Sequence, residues 1–313
     1  MPRPDPSFQP PCPPGLLVTG ASGRVGQRIA PFWRDAPVAL QWRPESPLPM
    51  GTAGPCWTLL DGPDALLDWL RTHERPAALL VLSGVTPGGG DLALNTALAE
   101  AALEAAHAAG IARVLLASSA AVYGEGRTGP WHEAERPQPA NAYGQAKLAM
   151  ERAADPWRER GLDVCCLRLG NVAGADALLS QALGNTPLTI DQFADGMSPM
   201  RSYIGPQSLA RVLRALADPA LALPPALNVA APMPVTMGDL ASAAGLDWQP
   251  RPAPPTAIAR LTLDCGMVSG LAGFDPVESL PETIVRQWRA SLAMPKARAA
   301  PKTVVRPKTG GKP

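Results

Sequence analysis

The chain has 313 residues, enough for one large or two modest domains around a sizeable core. Apolar residues make up 46% and charged residues 18%, with a formal net charge of +1. That balance excludes an intrinsically disordered chain and leaves no strong field to draw nucleic acid or an anionic membrane, so the expected partner is a small molecule.

In chain order, residues 1–14 read as a Pro-rich, extended and disordered leader; the apolar core of a signal peptide is missing from it. No stretch approaches the roughly 20 apolar residues needed to span a bilayer. A cytoplasmic protein is expected. "GLLVTG" is a first strand and "RVGQRIAPFWRD" a helix closed by Pro37. "VALQW" and "CWTLL" are predicted strands, followed by a helix from Asp64 to about His73. "AALLVLSGV" is apolar on both faces, as in the centre of a parallel sheet. A long Ala/Leu helix then stops at Gly110. "ARVLLAS" is a strand, "NAYGQAKLAMERAADPWRERG" a helix broken near Pro156, and "LDVCCLRL" a sixth strand. The alternation of strand and helix predicts βαβ units.

Beyond Arg168 the rhythm loosens. "ADALLSQALG" reads as a short helix, 185–201 as loop, "QSLARVLRALAD" as a helix and "ALNVAA" as a strand. "QPRPAPP" reads as a linker before a last amphipathic helix, "SLPETIVRQWRASLA". The expected fold class is α/β, a Rossmann-type doubly wound parallel sheet with a small interleaved C-terminal substrate-binding region. Its dinucleotide-binding part covers 15–170 and regains the chain at 203–231. The substrate region takes 171–202 and 232–294, and 295–313 is a basic, disordered tail.

The cysteines at 12, 56, 165, 166 and 265 form no CxxC pair, and there are only three histidines. Reduced packing cysteines and no metal site are expected. Adjacent Cys165 and Cys166 should point to opposite faces of their strand.

Two motifs carry chemistry. "TGASGRVG" places Gly20, Gly23 and Gly26 between a strand and a helix. In that context glycines allow a tight turn, and the backbone of Ser22, Arg24 and Val25 at the helix start can meet a pyrophosphate. The acid that usually closes the second strand is missing, and Arg43 stands there instead. A guanidinium suits a 2′-phosphate, so the cofactor leans to NADP over NAD, with Glu45 as the acid if the lean is wrong. Asp61, placed at the end of the third strand, would meet the adenine. In the second motif, Tyr143 and Lys147 stand four residues apart on one helical face. A nearby ammonium favours the tyrosinate, and Ser119, ending the fifth strand, can bond the same substrate oxygen.

These stretches resemble the extended short-chain dehydrogenases/reductases, in their NAD(P)-dependent epimerase/dehydratase branch, over about residues 15–292. "SSAAVYG" is similar to the family's serine strand end, and the position four before Tyr123 makes Ser119 rather than Ser118 the catalytic serine. "YGQAK" is similar to its Tyr/Lys pair. "RLGNVAG" and "RSYIGPQSLARVL" resemble segments in which Asn171 lies near the substrate and Arg201 holds a nucleotide-sugar phosphate. The resemblance implies hydride transfer to or from a hydroxyl or carbonyl carbon, with Tyr143 moving the proton, and a homodimer through helices 91–109 and 141–160. The stretch from Gly174 to Arg201 is short for a nucleotide-sugar enzyme. Three readings stay open here: an epimerase or dehydratase of a sugar nucleotide, an NADPH-dependent carbonyl reductase, and a non-catalytic dinucleotide-binding module.

Overall fold

The computed structural model describes residues 15–43, 52–124, 128–181 and 188–293. The leader, Glu45 and the basic tail lie outside them. In chain order come β1 (Leu16–Thr19), α1 (Arg24–Ile29), β2 (Val38–Trp42), β3 (Thr52–Cys56), α2 (Asp64–Trp69) and β4 (Ala78–Val81). Then follow α3 (Leu94–Ala109), β5 (Arg113–Ser119), α4 (Ala142–Ala153), α5 (Asp155–Glu159) and β6 (Asp163–Leu169). The remainder is β7 (Asn171–Val172), α6 (Ala177–Gln181), β8 (Leu188–Gln192), β9 (Met200–Arg201), β10 (Tyr203–Ile204), α7 (Pro206–Leu216) and β11 (Ala226–Val229). It ends with β12 (Val235–Thr236), α8 (Met237–Ala243), β13 (Trp248–Pro252), β14 (Arg260–Leu261), α9 (Gly266–Ala272) and α10 (Pro281–Ala293).

Seven strands form one parallel sheet in the order β11-β6-β5-β4-β1-β2-β3. The order reverses between β1 and β4, which opens a crevice beyond their C-terminal ends. Side-chain alternation sends Leu16, Val18, Leu80, Leu115, Cys165 and Leu227 to one face, under α7 and α9. Leu17, Leu79, Val81, Val114, Leu116 and Cys166 face the other way, under α3 and α4. Cys165 and Cys166 thus lie on opposite faces, as the alternation predicted. The buried face of α3 is mostly alanine, which lets the helix lie close to the sheet. A separate cluster around Leu179, Ile190, Tyr203, Leu240, Ile284 and Trp288 forms the core of the interleaved region.

Four predicted elements need correction. The third strand is Thr52–Cys56 rather than "CWTLL". Its register against β2 shifts between Leu40 and Trp42, and the chain then leaves the sheet through a 3₁₀ turn, Leu59–Asp61. Asp61 therefore sits in that turn, exposed, and not at a strand end. The helix after it ends at Trp69 rather than His73. Residues 185–201 are not all loop, because β8 and β9 lie there. "QPRPAPP" is not simply a linker: Gln249–Pro252 pair in parallel with β8. Pro250 and Pro252 are tolerated because β13 belongs to a two-stranded sheet, where one side of each strand needs no donor.

Candidate active site

The site begins at the turn after β1. Gly20 has φ +73°, and a Cβ there would lie 2.4 Å from the Ser83 backbone nitrogen beyond β4. Only glycine lets the two strand ends approach this closely. Gly23 is the N-cap of α1 and has no side chain to satisfy the first helical N–H groups. Ser22, Gly23 and Arg24 are exposed, Val25 is half-buried, and Gly26 is buried against Ala21. An uncapped helix start on an exposed turn suits a pyrophosphate.

Gln41 on β2 is a contact the sequence reading missed. Its Oε1 accepts the Gly20 N–H at 3.2 Å, and its Nε2 donates to the Trp57 carbonyl. A neutral amide therefore holds the glycine turn near the place where an acid was sought. Arg43, the next residue but one, is exposed at the end of the strand. Across the crevice, Arg24 Nη2 donates to Thr86 Oγ1 at 2.5 Å.

The C-terminal end of β5 supplies the second half. Ser119 Oγ accepts the Ala121 N–H at 3.2 Å. Burial raises the pKa of the Tyr143 phenol, while the Ser119 hydroxyl and the charge of Arg24 pull it down. Asn141 starts α4 by accepting the Gly144 N–H at 2.9 Å, which sets the phase of the helix that carries Tyr143 and Lys147. Lys147 is buried; its Nζ donates to the Ala117 carbonyl at 2.8 Å and stands 3.7 Å from Met150 Sδ. Burial brings its pKa down to about 8, partly offset by Cys166 and Glu151. The space a Cβ would take at Gly84 is bounded by Asn95 Oδ1 at 2.8 Å and Lys147 Nζ at 3.3 Å. Asn95 is 1% exposed and bonds the Val85 N–H and carbonyl, so it shapes the loop beyond β4.

One signal in the composition was available and unused. Lys147 is the only lysine before residue 296, in a chain whose other cations up to there are all arginine apart from three histidines. An amine retained alone at this position points to a need for its compact, titratable charge, which arginine cannot supply.

The other residues around the site have partners of their own. Asn171 is the register partner of Tyr203 in the β7–β10 pair, and the buried Tyr203 hydroxyl donates to Asp176 Oδ2 at 3.0 Å. Arg201 donates from Nη2 to the Ile258 carbonyl at 2.8 Å and from Nη1 to the Met200 carbonyl at 2.8 Å, tying the segment before β14 to β9. Glu133 accepts the Asn228 N–H at 3.0 Å, and His132 Nδ1 lies 3.5 Å from Asp264 Oδ2. Among the described residues no three His, Cys, Asp or Glu side chains gather as a metal site, and no helix is long and apolar enough to cross a membrane.

A glycine turn at the switch point of a doubly wound sheet, facing a Ser/Tyr pair and a buried Lys, is the build of a Rossmann-type dehydrogenase/reductase. The model of the NAD dependent epimerase/dehydratase family matches residues 16–207. The chain belongs to that family, within the extended short-chain dehydrogenases/reductases. A UDP-glucose 4-epimerase of Azospirillum brasilense is 33% identical over 175 residues, 52% of this chain and 50% of that protein. The chain thus matches about half the length of this curated relative. The structure of Thermus thermophilus UDP-glucose 4-epimerase with NAD superposes with a TM-score of 0.69 at 23% identity, covering 88% of this chain and 98% of that one. UDP-glucose 4-epimerase from Brucella ovis with NAD gives a TM-score of 0.72 at 20% identity, covering 88% and 97%. At these identities the structural likeness establishes the fold.

Proposed function

We propose that the chain catalyses NAD(P)-dependent hydride transfer at a carbon bearing a hydroxyl or carbonyl. The observation that carries this reading is the placement of Ser119 at the end of β5 and Tyr143 in the first turn of α4, which packs on that strand beside the glycine turn. Tyr143 takes or gives the proton of the substrate oxygen, and Ser119 orients that oxygen. Lys147, held by the Ala117 carbonyl, supplies positive charge behind the phenol. Bound NAD(P) supplies the hydride acceptor or donor. The turn Gly20, Ser22, Gly23, Arg24, Val25 and Gly26 would hold its pyrophosphate, Asp61 its adenine and Arg43 a 2′-phosphate, which favours NADP. Changing Tyr143→Phe should lower turnover by about 10²–10⁴-fold while NADH and NADPH still bind. Unchanged turnover would sink the assignment.

The substrate class favoured by the named relatives is a sugar nucleotide, with Asn171 and Arg201 on its side of the site. A second reading, reduction of a smaller carbonyl compound with NADPH, is favoured by Arg201, whose two Nη groups are engaged by backbone carbonyls. Titration with UDP-glucose in the presence of NAD separates the two: saturable binding supports the first, and its absence together with NADPH-dependent reduction of small carbonyls supports the second. A homodimer through α3 and α4, which pack side by side, completes the proposal and is checked by light scattering.

A further inference from the structure

Behind the site lies a group of charges that the catalytic reading does not use. Glu151 and Arg168 are both buried, with side chains 8% and 7% exposed. Arg168 Nη2 donates to Glu151 Oε2 at 2.9 Å and Arg168 Nε to Oε1 at 3.1 Å. Ser118 Oγ also donates to Glu151 Oε1, at 2.5 Å. Arg168 Nη1 donates to Tyr123 Oη at 2.9 Å and to the Glu133 carbonyl at 3.2 Å. Tyr123 in turn donates to Asn228 Oδ1 at 2.8 Å. Ser118, Arg168 and Asn228 are register partners on β5, β6 and β11, so they form one polar rung across three strands.

The rung stands one residue from Ser119, and Glu151 stands one helical turn beyond Lys147. A buried ion pair is weak as a source of stability, since its desolvation cost can exceed its attraction. Its placement directly under both halves of the candidate site calls for another use. We propose that Glu151, clamped by Arg168, is a positioning residue that fixes the Lys147 amine and the Ser118–Ser119 strand end in one frame. This rests on the catalytic reading above.

The groups whose charge acts on Lys147 are Cys166 on β6 and Glu151 on its own helix, with Tyr143 one turn before it and, from α3, the neutral Asn95 across the space at Gly84. Burial keeps the Cys166 thiol neutral, with a pKa of about 12. Glu151 is therefore the anion that sustains the Lys147 charge, and Arg168 holds that anion in place.

The solitary position of Lys147 makes a direct test possible. In nucleotide-free protein labelled with [¹³Cε]lysine, Lys147 is the one label outside the tail, and Lys147→Arg assigns its resonance. In the native chain its titration should have a midpoint near 8. In Glu151→Gln the midpoint should fall by about one pH unit, a tenfold loss of proton affinity. The alkaline limb of kcat/KM should move down with it, whereas Glu151→Asp should restore both in part. A Lys147 midpoint unchanged in folded Glu151→Gln would overturn the proposal. Should that variant not fold, Glu151→Gln combined with Arg168→Met removes both charges of the pair; the Lys147 midpoint should again fall below that of the native chain, and an unchanged midpoint overturns the proposal. Because no nucleotide is present, failure here is distinct from failure of the catalytic reading, which shows as unchanged turnover in Tyr143→Phe.

Discussion

At the scale of single residues, Lys147 makes stability depend on pH. Its pKa is near 8 in the folded chain against an ordinary value of 10.5. The folded state therefore sheds this proton first. Between about pH 8 and 10.5 the unfolded chain binds more protons, so stability rises with pH across that window, and the cost of the buried cation is full below it. Lys147→Met should be inactive yet more stable than the native chain at pH 7, by about 1–3 kcal/mol after the lost bond to Ala117 is counted. Urea unfolding at pH 7 and pH 10 checks this; the gain should shrink at the higher pH. The same scale governs the thiols. Burial raises the pKa of Cys165, and brings Cys166 and Cys265 up to about 12. None of the three should be alkylated by iodoacetamide in native protein, and all should be after denaturation, as read by peptide mass mapping.

At the scale of elements, α4 is the organising piece. It carries Tyr143, Lys147 and Glu151 at four-residue intervals along one face. Its start rests on Asn141, so Asn141→Ala should cost about 1 kcal/mol in chemical denaturation. The segment 128–135 is pinned over the strand ends. Trp131 stacks on Tyr123 with ring centroids 5.2 Å apart, and its carbonyl accepts Asn228 Nδ2 at 2.9 Å. Asn228 also donates to the Asp264 carbonyl at 3.1 Å, which joins the C-terminal region to the same point. Asn228→Ala would leave several buried groups without partners and should destabilise by about 3 kcal/mol. A thermal melt gives the loss directly, and kcat/KM should fall with it if this segment orders the site.

For the whole molecule, two cores lie on the faces of one sheet, and a third holds the interleaved region against α10. Trp288 belongs to the third, at 4% exposure, and Trp288→Ala should cost about 3–5 kcal/mol. The sequence alone determined the alternation of strand and helix and the glycine turn, and it singled out Ser119, Tyr143 and Lys147 as candidates, because each depends on local periodicity or on the end of an element. It also separated Cys165 from Cys166. It could not reach the rung of Ser118, Arg168 and Asn228, whose members are 50 and 60 residues apart and meet only through strand register. Nor could it find Gln41 beneath Gly20, or the pairing of a Pro-containing strand with β8, since proline discourages a strand locally while an edge position permits it. Asp61 was misplaced for a related reason: where a strand leaves its sheet is set by its neighbour's register. Local rules name the candidate groups, but the buried charges beside them are brought together only by tertiary packing, which excludes the water that would otherwise solvate each charge alone.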